Sequence, residues 1–205
     1  PVALLDKGVK FIIDGGYDCI IAFGGGSSMD FAKMAAVMAK DRALNVADVI
    51  GSEKVPAKGL PTIMIPTTAG SGSEVSAVAV FSFEAEHVKK GVSSGHLVAD
   101  IALVDPELTL PLPAGITAAS GMDALVHGVE SYLSLGTNAL TQDLALTAIR
   151  NIVQNLEICV KDGSNRAARE RQMYGSMLAG MAFSMSGTAG VHAMSYPLGG
   201  EYHVP

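Results

Sequence analysis

Tryptophan is absent from this 205-residue chain, cysteine occurs twice, and phenylalanine and tyrosine together are scarce. The two cysteines, Cys19 and Cys159, lie far apart and lack the close spacing of a thiolate metal site or a disulfide framework. Both sit in apolar runs and read as buried thiols, which points to a reducing, cytoplasmic compartment. Basic charge is sparse as well. Fourteen Lys and Arg face twenty Asp and Glu for a net charge of −6, and no basic cluster exceeds the pair Lys89-Lys90, which excludes nucleic acid as the expected partner. Long hydrophobic runs are missing too: Val75 to Phe83 is interrupted by Ser76 and Ser82 and falls well short of the roughly 20 residues that span a bilayer. No basic, then apolar, then small-residue leader opens the chain, although a start at Pro1 leaves a removed targeting segment open. What is present is a hydrophobic fraction of 49%, ample for a buried core, with no internal repeat and no low-complexity segment.

The periodicity divides the chain into two parts. Leu4 to Asp14 has helical apolar spacing and a Gly15-Gly16 stop. Cys19 to Phe23 reads as a buried parallel strand, Asp30 to Lys40 as a helix, and Pro61 to Pro66 as a second strand. Val75 to Phe83 alternates weakly, and Ile101 to Asp105 is a further apolar strand. Beyond Pro113 helical periods dominate: Ile116 to Ser134, Leu140 to Val160 and Arg166 to Ser184. The expectation is therefore a partial α/β dinucleotide-binding domain over residues 1–112 and a partial helical domain over 113–205. Three or four strands make a small sheet, and a chain that opens on a helix leads us to expect a missing N-terminal portion. At the other end, Tyr202-His-Val-Pro205 reads as mid-loop after a glycine pair.

Two glycine-rich loops follow strands. Gly24-Gly-Gly-Ser-Ser-Met-Asp30 opens a helix, where free backbone N–H groups and the positive end of the helix dipole can hold a diphosphate. It lacks the third glycine of the dinucleotide fingerprint, and Asp30 could equally cap the helix. Pro66-Thr-Thr-Ala-Gly-Ser-Gly-Ser-Glu74 offers hydroxyls and mobile amides suited to ribose or phosphate. If the strands are parallel, both loops lie at their carboxyl ends, the usual nucleotide crevice.

Asp123 and His127 are four residues apart in a helical run, so carboxylate and imidazole share one face. His192, sixty-five residues beyond His127, follows Gly187-Thr-Ala-Gly190 and belongs near a helix start. One oxygen and two imidazole nitrogens suit Fe²⁺, Zn²⁺ or Mn²⁺. Glu130 shares the face of Asp123 and reads either as a partner of a ligand or as a helix salt-bridge residue, the latter slightly favoured. His87, His96 and His203 read as surface or loop histidines, of which His203 alone lies near the site region. The ten methionines read as core packing.

These motifs, with Ala102-Leu-Val-Asp-Pro-Glu107, Gly121-Met-Asp-Ala-Leu-Val-His127, Gly190-Val-His192 and Pro197-Leu-Gly-Gly200, occur in an order that resembles the iron-containing alcohol dehydrogenase family, a branch of the dehydroquinate synthase-like fold. The resemblance implies an α/β dinucleotide-binding part followed by an all-helical domain, with metal and substrate in the cleft between. It implies a hydride transfer between a small alcohol or aldehyde and NAD or NADP, assisted by Fe²⁺ or Zn²⁺, in a dimer or larger homo-oligomer. By the same resemblance Gly25, Gly26, Ser27 and Asp30 would hold the pyrophosphate side, Thr67, Thr68 and Ser71 would line the nucleotide, and Lys90 would reach the ribose. Asp123, His127 and His192 would be metal ligands. The family's fourth ligand is a histidine directly after the position of Pro205, and its proton-relay histidine is replaced here by Tyr196. Other readings are a polyol dehydrogenase, maleylacetate reductase or hydroxyacid–oxoacid transhydrogenase of the same fold, or a nucleotide-binding module without catalysis.

Overall fold

The computed structural model describes residues 2–86 and 88–201, with only the backbone of Ala3, Ala85 and residues 196–201. After a short 3₁₀ turn, helix α1 (Leu5–Gly15) ends where Gly16 adopts φ 63° and its N–H returns to the carbonyls of Ile12 and Ile13. Strand β1 (Ile20–Gly24) leads into α2 (Gly26–Lys40), which begins four residues earlier than Asp30, inside the glycine run. A two-residue strand β2 (Gly51–Ser52) precedes β3 (Thr62–Pro66), β4 (Val78–Phe83), β5 (Val88–Ser93) and the short β6 (Ile101–Ala102). Four helices complete the chain: α3 (Ala114–Leu133), α4 (Ala139–Lys161), α5 (Arg166–Ser186) and α6 (Gly190–Glu201).

Two three-stranded sheets result. The first has the order β1-β3-β6 and is all parallel, with Gly24 opposite Pro66, so the loops after β1 and β3 emerge side by side. The second has the order β2-β5-β4, in which β4 and β5 form an antiparallel hairpin pairing Ser82 with Lys89 and Phe81 with Lys90. Helix α2 is the hub. Met29 and Ala32 pack on Ala22 and Met64 of the first sheet, and Met34, Val37 and Met38 pack against α1 and against Phe81 and Val92 of the hairpin.

One strand expectation is corrected. β1 is buried on one face only: Ala22 is enclosed, whereas Ile21 and Phe23 are each 63% exposed, and Cys19 precedes the strand and is exposed rather than buried. α2 covers one side of the first sheet, and the opposite side, with Ile101 and Leu103, faces solvent. Hydrophobicity alone cannot report how many faces are covered. Helix α6 runs through Pro197 to Glu201, and Tyr202 to Pro205, read as mid-loop, lie outside the described residues.

Helices α4 and α5 begin at identifiable caps. The Asn138 side chain accepts from the Thr141 N–H (3.1 Å) while Thr141 Oγ1 accepts from the Asn138 N–H (2.7 Å), a reciprocal cap that starts α4. Asn165 accepts from the Ala168 N–H (3.0 Å) at the start of α5. Buried Arg169 then fastens α5 to the start of α3, donating to Thr117 Oγ1 (2.9 Å) and to the carbonyls of Leu112 (3.1 Å) and Gly163 (3.0 Å). Ala124, Ala148, Ile152, Leu178 and Ala179 form the small core between α3, α4 and α5.

Candidate metal centre and nucleotide crevice

One turn of α3 carries Asp123 and His127 on the same face, and the first turn of α6 brings His192 against them. The candidate ligand atoms of the three lie within 4.8 Å of one another. His192 Nε2 is 3.5 Å and His127 Nε2 is 4.0 Å from Asp123 Oδ1. The two imidazoles stack at 4.5 Å between centroids with a 12° tilt, and Phe183 of α5 closes the other side of the His127 ring at 4.3 Å. One carboxylate oxygen and two imidazole nitrogens converging on a point fit a first-row divalent metal, which the family resemblance implies.

The protonation preferences of His127 and Asp123 suit that role. Burial pushes the His127 imidazole below its ordinary value against the pull of Asp123, which favours the neutral, ligating form. The Asp123 carboxyl is raised by burial but held low overall by the His192 hydrogen bond, by the charges of His127 and His192, and by the Lys89 ammonium. Burial lowers His192, yet its partners Asp123 and Glu130 outweigh this and raise it.

Glu130 is not a helix salt-bridge residue. It is 4% exposed; its Oε1 accepts from the Val191 N–H at 2.6 Å, and its Oε2 lies 2.5 Å from His192 Nδ1. Nothing in the local sequence marks this, because the partner lies 62 residues away.

The two glycine loops meet. The Thr67 N–H donates to the Gly24 carbonyl at 3.0 Å, and a Cβ placed on Gly26 would lie 2.6 Å from Ser71 Oγ. Gly25 caps α2, so the amides of Gly26 and Ser27 at its first turn have no partner within the helix. Ser27 is exposed there, and Thr68 faces Gly25. Asp30 turns inward instead. Its Oδ1 accepts from Ser73 Oγ (2.6 Å) and its Oδ2 from the Val80 N–H (2.9 Å), so both oxygens tie α2 to the loop and the hairpin.

The loop after β3 also reaches the metal ligands. A Cβ on Gly70 would lie 2.6 Å from the Ser120 carbonyl of α3, and the Gly70 carbonyl favours the protonated His127 ring, whose buried Nδ1 has no well-formed hydrogen bond. Gly72, at φ 60°, would place a Cβ 2.4 Å from the Gly180 Cα of α5. The loop after β3 and the helices α3 and α5 thus share one glycine-lined contact.

Lys90 shares the face of the hairpin that carries Phe81 and Val92, and its Nζ meets Glu86 at 2.6 Å and sits 4.7 Å over the Phe83 ring. Its neighbour Lys89 is the cation that acts on Asp123. Successive strand residues face opposite sides, a rule that separates the two lysines once β5 is known. The side chain of Tyr196 and all of His87 and His203 lie outside the described residues.

The parallel sheet thus carries a glycine-rich crevice, and the helices that follow gather a carboxylate and two histidines. Residues 1–106 match the family described as iron-containing alcohol dehydrogenase, and residues 117–205 match its C-terminal counterpart, so the chain belongs to the iron-containing alcohol dehydrogenase family. It is 46% identical to a long-chain-alcohol dehydrogenase of Geobacillus thermodenitrificans, over 100% of this chain and 52% of that protein. It is 39% identical to a sulfoacetaldehyde reductase of Bilophila wadsworthia, over 93% and 49%. Its structure resembles that of the sulfoacetaldehyde reductase of Bifidobacterium kashiwanohense in complex with NAD+, with a TM-score of 0.92, 36% identity, and coverage of 100% of this chain and 54% of that one. The chain spans about half the length of the curated relatives it matches. Among the described residues no helix is long and apolar enough to cross a membrane.

Proposed function

We propose that this chain carries the core of a metal-dependent oxidoreductase that moves a hydride between a small alcohol or aldehyde and NAD or NADP. The convergence of Asp123, His127 and His192 beside the loop shared with the nucleotide crevice carries this reading. Asp123, His127 and His192 would hold Fe²⁺ or Zn²⁺, which when bound supplies a Lewis acid to the substrate oxygen. Gly25, Gly26 and Ser27 would hold the cofactor's pyrophosphate through the free amides at the start of α2. Thr67, Thr68 and Ser71 would contact the nucleotide from the facing loop. Asp30 would act behind the crevice, as a strut between α2 and the hairpin, with both oxygens engaged by protein.

For the cation that reaches the cofactor's ribose the family resemblance points to Lys90, whose ammonium meets Glu86 and lies over the Phe83 ring; Lys89, whose charge helps to hold Asp123 low, is its neighbour on β5. The division of the chain at residues 112 and 113 belongs to the same proposal, as does assembly into a dimer or larger homo-oligomer. A cytoplasmic location is proposed on the two free cysteines, Cys19 and Cys159. Tyr196 is proposed to hydrogen-bond the substrate oxygen.

The test is bound metal per chain after anaerobic loading with Fe²⁺ and, separately, Zn²⁺, together with NADH binding, in the wild type and in Asp123→Asn. The expected result is stoichiometric metal that the substitution removes while NADH affinity stays within about twofold. Loss of metal and nucleotide together would reject two separable sites, and an absence of metal in the wild type would reject the metal centre.

A further inference from the structure

Glu130 is a buried carboxylate on α3, one helical turn beyond His127 toward the C-terminus, and it touches His192 at Nδ1 rather than at the nitrogen that faces Asp123. Its two oxygens divide between two tasks on α6. Oε1 accepts from the Val191 N–H at 2.6 Å, a donor that the first turn of a helix leaves unpaired, and a carboxylate at that end also complements the helix dipole. Oε2 lies 2.5 Å from Nδ1 of His192, whose Nε2 faces Asp123 at 3.5 Å. Both carboxylates can only accept when ionised, and the shorter contact, 2.5 Å to Glu130 against 3.5 Å to Asp123, favours placing the proton of a neutral His192 on Nδ1. That tautomer leaves the lone pair on Nε2, the nitrogen on the Asp123 side.

We propose that Glu130 is the positioning residue of this centre: it docks the start of α6 on α3 and selects the His192 tautomer whose Nε2 can ligate a metal. The proposal rests on the metal reading of Asp123, His127 and His192. A ligating histidine whose other nitrogen is held by a carboxylate is fixed in orientation and made a stronger donor, and loss of such a partner costs about ten- to hundredfold in metal affinity. The two tasks are linked by geometry. The same carboxylate that supplies the tautomer supplies the backbone seat, so α6 cannot dock in register without His192 being turned toward Asp123. No neighbouring residue on α3 duplicates it, since Ser131 is engaged with the His127 carbonyl at 2.6 Å.

Glu130→Gln separates the tasks. The amide oxygen can still accept from the Val191 N–H, while the amide nitrogen now presents a donor to Nδ1 and favours the tautomer with its proton on Nε2. Two measurements decide. In ¹⁵N-histidine spectra of the metal-free wild type, at a pH where the ring is neutral, His192 should be protonated on Nδ1, and Glu130→Gln should shift the population toward Nε2. In Co²⁺ titrations followed by ligand-field absorption, Glu130→Gln should bind about ten- to hundredfold more weakly than wild type, with circular dichroism unchanged. The same substitution in a His192→Ala background should produce no further loss, an outcome that a general packing defect would not give. A wild-type His192 protonated on Nε2, or Co²⁺ affinity unaltered by Glu130→Gln, would overturn the proposal. If the wild type binds no metal at all, the functional reading fails, and the tautomer measurement still decides the role of Glu130. Should Glu130→Gln fail to fold, the wild-type spectrum alone is sufficient.

Discussion

Lys33 shows at the scale of one residue how the crevice is built on buried charge. It is 2% exposed, and its Nζ donates to the carbonyls of Ser76 and Val78 at 2.9 Å each and to Ser76 Oγ at 3.3 Å. Burial holds the ammonium down at about 8, against the attraction of Asp30 and Glu74, whose own carboxyls are raised by burial. Removing the cation should therefore leave two buried acids without compensation and take a charged donor from two carbonyls. Lys33→Met is expected to lose about 3–5 kcal/mol in urea unfolding at neutral pH. A loss under about 1 kcal/mol would show that both acids are already neutral and that the cation contributes little beyond packing. The same residue scale explains what could be read in advance. Asp123 and His127 announce themselves by a spacing of four on an apolar helix, and the structure brings His192 to them. Glu130 and Lys33 do not, because a buried acid and a buried lysine look like surface charges until their distant partners are known.

At the scale of elements, the decisive contact is the loop after β3 against α3 and α5. Gly72 needs both its left-handed backbone, at φ 60°, and the absence of a side chain, since a Cβ would meet Gly180 Cα at 2.4 Å. Gly180 faces the same contact, with 2.7 Å to Gly72 Cα, from a helix that imposes no backbone strain. Gly72→Ala should cost more than the roughly 1–3 kcal/mol of the left-handed conformation alone. Gly180→Ala isolates the clash, and Gly91→Ala, with nothing within 4 Å of its Cβ, is the neutral control. Both contact variants should weaken NADH binding and Co²⁺ binding together, because Ser71 and Gly70 belong to one loop; a fall in NADH binding with unaltered Co²⁺ affinity would show that the loop does not connect the two sites. The helices were legible because apolar periods run for twenty residues or more, and α3, α4 and α5 lie within a few residues of the expected bounds. The hairpin partner β5 was not, since Val88 to Ser93 contains Lys89, Lys90 and Gly91 and has no hydrophobic alternation of its own. Its pairing with β4 supplies the stability that its composition lacks.

Across the whole molecule the candidate ligands come from two helices that are distant in sequence, so metal binding should act as a staple between α3 and α6. Any ligand bound only by the folded state stabilises it by mass action, about 2.7 kcal/mol at a free concentration one hundred times Kd. The net charge of −6 complicates the measurement, because a chain with excess carboxylates attracts divalent cations without a site. Asp123→Asn separates the two effects: it removes one oxygen donor and changes the total charge by only one. The wild type should gain thermal stability with Zn²⁺ or Co²⁺ in a saturable manner, while Asp123→Asn should show only a small, unsaturated response. Limited proteolysis adds a spatial readout. Gly187, at φ 78°, joins α5 to α6, and Ser134 Oγ holds the preceding carbonyl of Ser186 at 2.6 Å. Cleavage at this junction should be faster without metal and slowed by metal in the wild type alone. Equal protection of the wild type and Asp123→Asn would assign the effect to diffuse charge and remove the staple from the account.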